Sequence, residues 1–253
     1  MRFVRRRRYL SGYTTGAAAA EPDRHANLTL SADGEPIPDH GTASRRGLAW
    51  ERRAELGPGT AMARTIFQVV VAPGTAFREM KQTGGWGEPL GFALLVGSVA
   101  IWAAQLWDML TRSLLVGLTG TTPEEVAAAN LQEILFALLA PVLVLAVTFF
   151  VAAVVHVLLL MLGGAPHPYE TTFRVICYTW SAGIFNLVPV CGVLIAAIWR
   201  IVVQIIGIRE AQEVPTGRAA AAVLIPIVVA CFCLFAVVLV AIGVAGLATA
   251  AAP

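Results

Sequence analysis

The sequence predicts an all-α membrane protein: a bundle of five transmembrane helices, preceded by interfacial amphipathic helices and a disordered basic tail. Of its 253 residues, 57% are hydrophobic and 13% are charged, whereas an average soluble domain is about 25% charged. Four stretches contain no Asp, Glu, Lys or Arg, and a helix needs roughly 20 apolar residues to cross the hydrocarbon layer. These stretches are residues 89–107, 134–162, 175–199 and 219–253.

Residues 1–60 are predicted to be a disordered, basic cytoplasmic tail. They include an arginine run at residues 5–8 and many Pro, Gly, Asp and Ser residues, without a sustained apolar period. Such a composition buries too little apolar surface to offset chain entropy. No apolar stretch follows the arginine run, so it is not a secretory signal. We interpret the tail as a solvated segment that keeps the N-terminus inside; attraction to anionic headgroups is the alternative.

Residues 61–88 are predicted to form two amphipathic helices that lie on the inner membrane surface. Met62 and Ile66 begin an apolar stripe at helical spacing in the first helix, and a Pro-Gly pair ends it. Thr75 is the expected N-cap of the second helix. Trp86 lies in a Gly-rich hinge and suits the headgroup level.

The first two spans are predicted at about residues 89–110 and 134–162. Between them, Thr122 is a favourable N-cap and Pro123 suits the first helical position, while two Glu residues complement the helix dipole. This pattern predicts a short helix on the outer surface. Pro141 is expected to bend the second span, because membrane helices tolerate an internal Pro.

The number of spans depends on whether the third apolar stretch contains a turn. One uninterrupted helix gives four spans in total, whereas a turn from Asn186 to Pro189 gives five. Short cytoplasmic loops collect Lys and Arg, and the loop with Arg209 and Arg218 lies inside only with five spans. We therefore predict five, with the N-terminus inside and the C-terminus outside. The last three spans are then about residues 170–187, 190–208 and 219–247, within a membrane domain of residues 89–253.

Six ionisable residues are candidates for a polar cluster on the inner half of the bundle. Ionisable groups at membrane depth are expensive and usually face the bundle interior or water. The alternative is that Arg200 snorkels toward the interface and His156 makes one structural hydrogen bond. The six residues are His156, Glu170, Arg174, Arg200, Arg209 and Glu210.

Asn186 and Pro189 are interpreted as structural turn residues, because Asn bonds the local backbone and Pro ends an incoming helix. A substrate-binding broken helix, as in transporters, is the alternative, but such helices come with an inverted repeat and the sequence shows no second copy.

Motifs for catalysis and metal binding are missing from the sequence. It contains no HExxH, GxSxG, P-loop or strand-linked GxGxxG motif. The four cysteines lie in apolar stretches without a CxxC pair, which indicates small buried side chains. We expect a protein that is not an enzyme and has no cofactor, no metal and no nucleic-acid partner.

Several short motifs follow one another in a fixed order along the chain. They are Ala72-Pro73 with Phe77, His156 before a Leu-rich run into Gly163-Gly164, Thr172-Phe173-Arg174-Val175 with Tyr178, Val188-Pro189 with Gly192, Trp199, Ile206-Gly207-Ile208-Arg209-Glu210-Ala211, and Thr216-Gly217-Arg218-Ala219. This order resembles the Yip family, the Ypt/Rab-interacting membrane proteins, in its bacterial form. The resemblance covers roughly residues 60–240.

The resemblance implies a five-span bundle with a cytosolic N-terminus. It also implies association with small GTPases of the Rab type and with other copies, in trafficking or membrane shaping, and it carries over no catalytic residue. We expect a non-enzymatic interaction or scaffold protein, in the inner membrane of a bacterium, whose partners are the lipid bilayer, itself and other membrane proteins. A transporter or lipid-handling protein that uses the inner polar cluster is the alternative.

Overall fold

The computed structural model describes residues 45–120 and 122–250, and all of their regular elements are helices. Residues 1–44, most of the predicted tail, lie outside the described residues. The prediction of an all-helical protein with several helices of membrane length is confirmed. The described residues, which begin at residue 45, belong to one compact unit.

The chain between residues 45 and 60 differs from the predicted tail. A 3-10 helix, Ala49–Arg52, leads into the short helix α1, Arg53–Leu56. Trp50 is buried, its backbone N–H donates to Thr65 Oγ1 (2.8 Å), and its Nε1 donates to the Glu88 carbonyl (2.7 Å). Composition alone does not reveal this docking, because very few apolar side chains carry it.

Two helices follow the docked segment, α2 at Pro58–Val71 and α3 at Pro73–Glu79. Pro73 occupies the first position of α3 and Ala72 its N-cap, so the predicted cap at Thr75 is wrong. Proline fits there because the first helical N–H has no partner within the helix. In α2, Val69 is buried whereas Phe67 is 68% exposed. We call residues 45–82 the N-terminal segment.

The next two helices form a long antiparallel hairpin, α4 at Gly87–Thr119 and α5 at Pro123–Met161. Thr122 is the N-cap of α5, as predicted, and its hydroxyl accepts from the Glu125 N–H in a reciprocal capping box. The helix that starts there is continuous with the second span, so the prediction of a separate short helix on the outer surface is wrong. The cap and the apolar stretch belong to one helix because residues 124–133 between them contain no Pro or Gly that would end it.

A mixed helical stretch comes next and lies inside the bundle. It consists of α6, Tyr169–Thr179, and a 3-10 helix, Trp180–Leu187. All residues from 171 to 183 are buried. A turn at residues 188–191 then reverses the chain into α7, Gly192–Gln212, and the last helix is α8, Thr216–Ala250.

Four helices among the described residues are long and apolar enough to cross a membrane. They are Gly87–Val116, Glu124–Met161, Gly192–Gln212 and Thr216–Ile242. The stretch from Tyr169 to Leu187 is not one of them, because it is split between two helix types and carries Thr, Arg and Tyr side chains.

Small residues let the buried stretch approach its neighbours closely. A Cβ added at Gly97 of α4 would lie 2.9 Å from Trp180 and Val144, and one at Gly183 would overlap the Ala100 Cβ. In lipid such close approach is a main source of helix association, because the hydrophobic effect does not act between helices there.

Candidate functional site

The side chain of Arg174 on α6 is fully buried and lies at the centre of the largest polar cluster. Its Nη1 is 2.6 Å from Glu51 Oε1, and its Nε is 3.1 Å from Glu170 Oε1. Its Nη2 donates to the Gly85 carbonyl (2.8 Å), while the Gly85 N–H donates to Glu170 Oε1 (2.8 Å). We call these residues, with Tyr178, the Arg174 cluster.

Glu51 is the member of the Arg174 cluster that comes from the N-terminal segment. Besides Arg174, its carboxylate accepts hydrogen bonds from the Tyr178 hydroxyl (3.2 Å) and from the N–H groups of Leu48 (2.8 Å) and Lys81 (3.2 Å). Burial raises the pKa of the Glu51 carboxyl above its ordinary value, while the backbone N–H donors and Arg174 oppose the shift. The carboxylate therefore connects three separated parts of the chain.

The second polar group joins α5, α6 and α7. His156 Nδ1 lies 2.9 Å from Thr172 Oγ1, which also accepts from Gln212 Nε2 (2.9 Å). Gln212 Oε1 in turn accepts from the His167 N–H (3.1 Å). Gln212 and Thr172 are fully buried, so this chain of hydrogen bonds satisfies polar groups within the bundle.

The third polar group lies at the surface where α3 meets α7. Glu210 pairs with its neighbour Arg209, and its other oxygen is 3.2 Å from Arg78 Nε. Nearby in sequence, Glu213 pairs with Arg45 (2.7 Å). These pairs hold the N-terminal segment against the end of α7.

Arg200 is separate from all three groups. Its guanidinium carbon lies 3.9 Å from the centre of the Trp180 ring, and its Nε is buried without a hydrogen-bond partner. The Trp180 indole is itself fixed by donation from Nε1 to Thr148 Oγ1 (2.9 Å). Arg200 also lines a cavity of about 550 Å³ between α5, α7 and α8.

The six predicted site residues are therefore divided among four places. Glu170 and Arg174 share one cluster, Arg209 and Glu210 share another, and His156 and Arg200 each have different neighbours. The sequence analysis missed Glu51, Thr172, Gln212 and Trp180. The helical spacing of Glu170 and Arg174 was the available signal for an ion pair, but nothing local indicated the distant carboxylate of Glu51.

Asn186 and Pro189 lie on either side of the chain reversal before α7. Asn186 is in the last turn of the 3-10 helix, and its Nδ2 donates to the Ala100 carbonyl on α4 (2.9 Å). Pro189 lies in the turn itself, where its carbonyl accepts from the Cys191 N–H (2.8 Å). Both residues thus contribute to the reversal, and Asn186 also ties it to α4.

The described part of the chain contains no group of three His, Cys, Asp or Glu side chains that could hold a metal ion. The cysteines there are unpaired, with Cys177 buried and the other three exposed. The polar groups described above connect helices to one another, and we find no nucleophile held beside a general base in them.

Comparison with protein families gives one match. The Yip1 domain model matches residues 67–238, which is more than half of the chain. The match covers nearly the same residues as the resemblance noted in the sequence and confirms it. No curated protein and no solved structure matches the chain significantly.

Proposed function

The chain belongs to the Yip1-domain family, and from this premise we propose that it is a non-enzymatic membrane protein that acts through contacts on its cytoplasmic side. In this role it serves as an interaction or scaffold protein in the organisation or trafficking of membranes. We propose other membrane proteins and further copies of itself as partners. A small GTPase is a partner by family resemblance alone.

The observation that carries this proposal is the Arg174 cluster. Its ion pairs hold the N-terminal segment on one end of the bundle, so that end presents a preformed protein surface. At the same end, Glu210 pairs with both Arg209 and Arg78. A contact surface needs this kind of rigid support, since ordering a mobile surface on binding costs free energy.

We further propose five spans, with the stretch from Tyr169 to Leu187 as the third. Eleven α-helical and eight 3-10 residues extend about 32 Å, which matches the roughly 30 Å hydrocarbon layer. Residues 171–183 of this stretch are buried, so it can carry Thr, Arg and Ser side chains, because neighbouring helices rather than lipid surround them. The proposed location is the bacterial cytoplasmic membrane, with the N-terminus inside and the C-terminus outside.

Site-specific photo-crosslinking in native membranes tests the proposed contact surface. The crosslinking residue replaces Thr75 or Glu79, both exposed on α3, and as a control Glu124, exposed at the opposite end of the α4–α5 hairpin. We expect discrete protein adducts, to partners or to a second copy, at the α3 positions and not at Glu124. Adducts to lipid alone at all three positions, or equal protein adducts at Glu124, contradict the proposal.

A further inference from the structure

We propose that the cavity between α5, α7 and α8 binds a single-chain lipid carboxylate, a long-chain fatty acid, with the carboxylate on Arg200. This binding site is independent of the contact surface on α3, and it goes beyond the scaffold function. It assigns a ligand to Arg200, a guanidinium that forms no ion pair with the three polar groups and whose buried Nε has no hydrogen-bond partner.

The walls of the cavity suit an acyl chain. Its volume is about 550 Å³, within the range of small-molecule sites. Apart from Asn186, Arg200 and Gln204, all the residues that line it are apolar. Two of the lining residues, Phe150 and Val193, are 70% and 56% exposed on the outside of the bundle. The cavity is therefore open sideways, toward the region that lipid chains occupy around a membrane helix.

The environment of Arg200 calls for an anion. A guanidinium away from water is costly unless it is paired and hydrogen-bonded. The cation–π contact with the Trp180 ring, 3.9 Å from the guanidinium carbon to the ring centre, fixes the position of the guanidinium, but it does not satisfy the N–H donors. Nε has no hydrogen-bond partner. A carboxylate matches this donor set because the guanidinium can bind both of its oxygens.

The depth of Arg200 favours a carboxylate over a phospholipid phosphate. Arg200 lies twelve residues before Gln212, the end of α7, which is about 18 Å along the helix. It also lies eight residues after Gly192, the start of α7, which is about 12 Å along the helix, so a phosphate that stays level with either end of α7 does not reach the guanidinium. A fatty acid carries a small headgroup on one chain and can lie lower. Asn186 Oδ1 also lacks a partner, which makes a neutral, hydroxyl-bearing lipid such as diacylglycerol the competing occupant.

Photo-labelling tests the site. The full-length protein in phosphatidylcholine nanodiscs is incubated with palmitic acid that carries a diazirine on its chain, and labelled peptides are identified by mass spectrometry. We expect saturable labelling of α5, α7 or α8 that palmitic acid suppresses and methyl palmitate or dioleoylglycerol does not. Equal suppression by methyl palmitate or dioleoylglycerol, or labelling that does not saturate, overturns the proposal.

Three variants locate the carboxylate. Arg200→Gln should weaken labelling about tenfold or more, since the charge-assisted hydrogen bonds to the carboxylate are lost. Arg209→Gln on the same helix is the matched control and should label like the unchanged protein, because Arg209 pairs with Glu210 outside the cavity. If Arg200→Gln does not fold, Ala197→Phe fills the cavity while keeping Arg200, and it should lose labelling. Unchanged labelling in a folded Arg200→Gln or Ala197→Phe variant contradicts the site.

Discussion

At the scale of single residues, the Arg174 side chain links three separated parts of the chain. It pairs with Glu51 and Glu170 and donates to the Gly85 carbonyl, so one guanidinium joins α6 to the N-terminal segment through Glu51 and to the Gly-rich hinge through Gly85. Replacing a buried ion pair by apolar residues is often neutral, but removing one partner leaves a charge uncompensated. Arg174 therefore matters for stability mainly because its removal would leave the buried Glu51 carboxylate without a cation.

Arg174→Met should lower the free energy of unfolding by about 3–5 kcal/mol, because Glu51 stays buried without its cation. Thermal unfolding in detergent or nanodiscs measures the change. Arg53→Met is the matched control: its pair with Glu88 is about one-third exposed on each side, and such pairs contribute about 0–1 kcal/mol. Equal losses for the two variants would contradict a special role of the Arg174 cluster.

The loss of stability caused by Arg174→Met should also depend on pH. Burial raises the pKa of Glu51, and Arg174 is one of the groups that hold the shift down. Without Arg174 the pKa of Glu51 rises further, so Glu51 stays protonated to higher pH in the variant than in the unchanged protein. A carboxyl with a raised folded-state pKa stabilises at low pH, and this contribution is lost as pH rises through that pKa. The stability difference between the variant and the unchanged protein should shrink toward pH 5 and grow toward pH 8.

At the scale of elements, the buried stretch of α6 and its 3-10 extension organises the bundle. It packs against α4 through Gly97 and Gly183, where side chains would overlap with Trp180, Val144 or Ala100. The helices outside it, above all α8, expose large apolar side chains over most of their length. The stretch with polar residues lies in the interior of the bundle and the apolar helices surround it, because lipid, unlike water, solvates apolar surfaces.

Gly183→Ala should destabilise the bundle by about 1–3 kcal/mol, because the added methyl overlaps the Ala100 Cβ and overpacking forces the helices apart. Gly91→Ala is the control on α4, since its Cβ would meet nothing within 4 Å and alanine favours a helix. Unfolding midpoints of both variants in the same nanodiscs give the comparison. A Gly183→Ala protein as stable as Gly91→Ala would mean that close approach is not needed here.

At the scale of the whole molecule, the topology follows from whether the buried stretch crosses the membrane. With five spans, a reporter that is active only outside the cytoplasm works when fused after Pro253, and a cytoplasmic reporter works when inserted after Glu213. With four spans, the reporter after Pro253 lies in the cytoplasm and the reporter after Glu213 lies outside, so both results reverse. A fusion in the loop after Met161 lies inside under either topology and serves as the control. We expect the five-span pattern, since it puts Arg209 and Arg218 on the cytoplasmic side.

The helix positions were largely predictable from the sequence. Apolar stretches without charge located α4, α5 and α8, and the Thr122 cap marked the start of α5, because these helices face lipid and follow composition. The position of α7, which contains Arg200 and Arg209, followed instead from the turn predicted at Asn186–Pro189. The ends were less predictable: α4 and α5 extend to the short connection at residues 120–122, past the apolar stretches. Helical hydrogen bonding continues through polar residues, so hydropathy does not mark where such helices end.

The sequence by itself determined that this is an all-helical membrane protein of the Yip1-domain family, because composition and short motifs are local properties. Only the tertiary structure decided which polar residues meet. It joined Glu51 to Arg174 across 123 residues and left Arg200 on Trp180 beside a cavity. The physical reason is that pairing of buried charges depends on how helices pack in three dimensions, and helix packing brings together residues that no spacing in the chain connects.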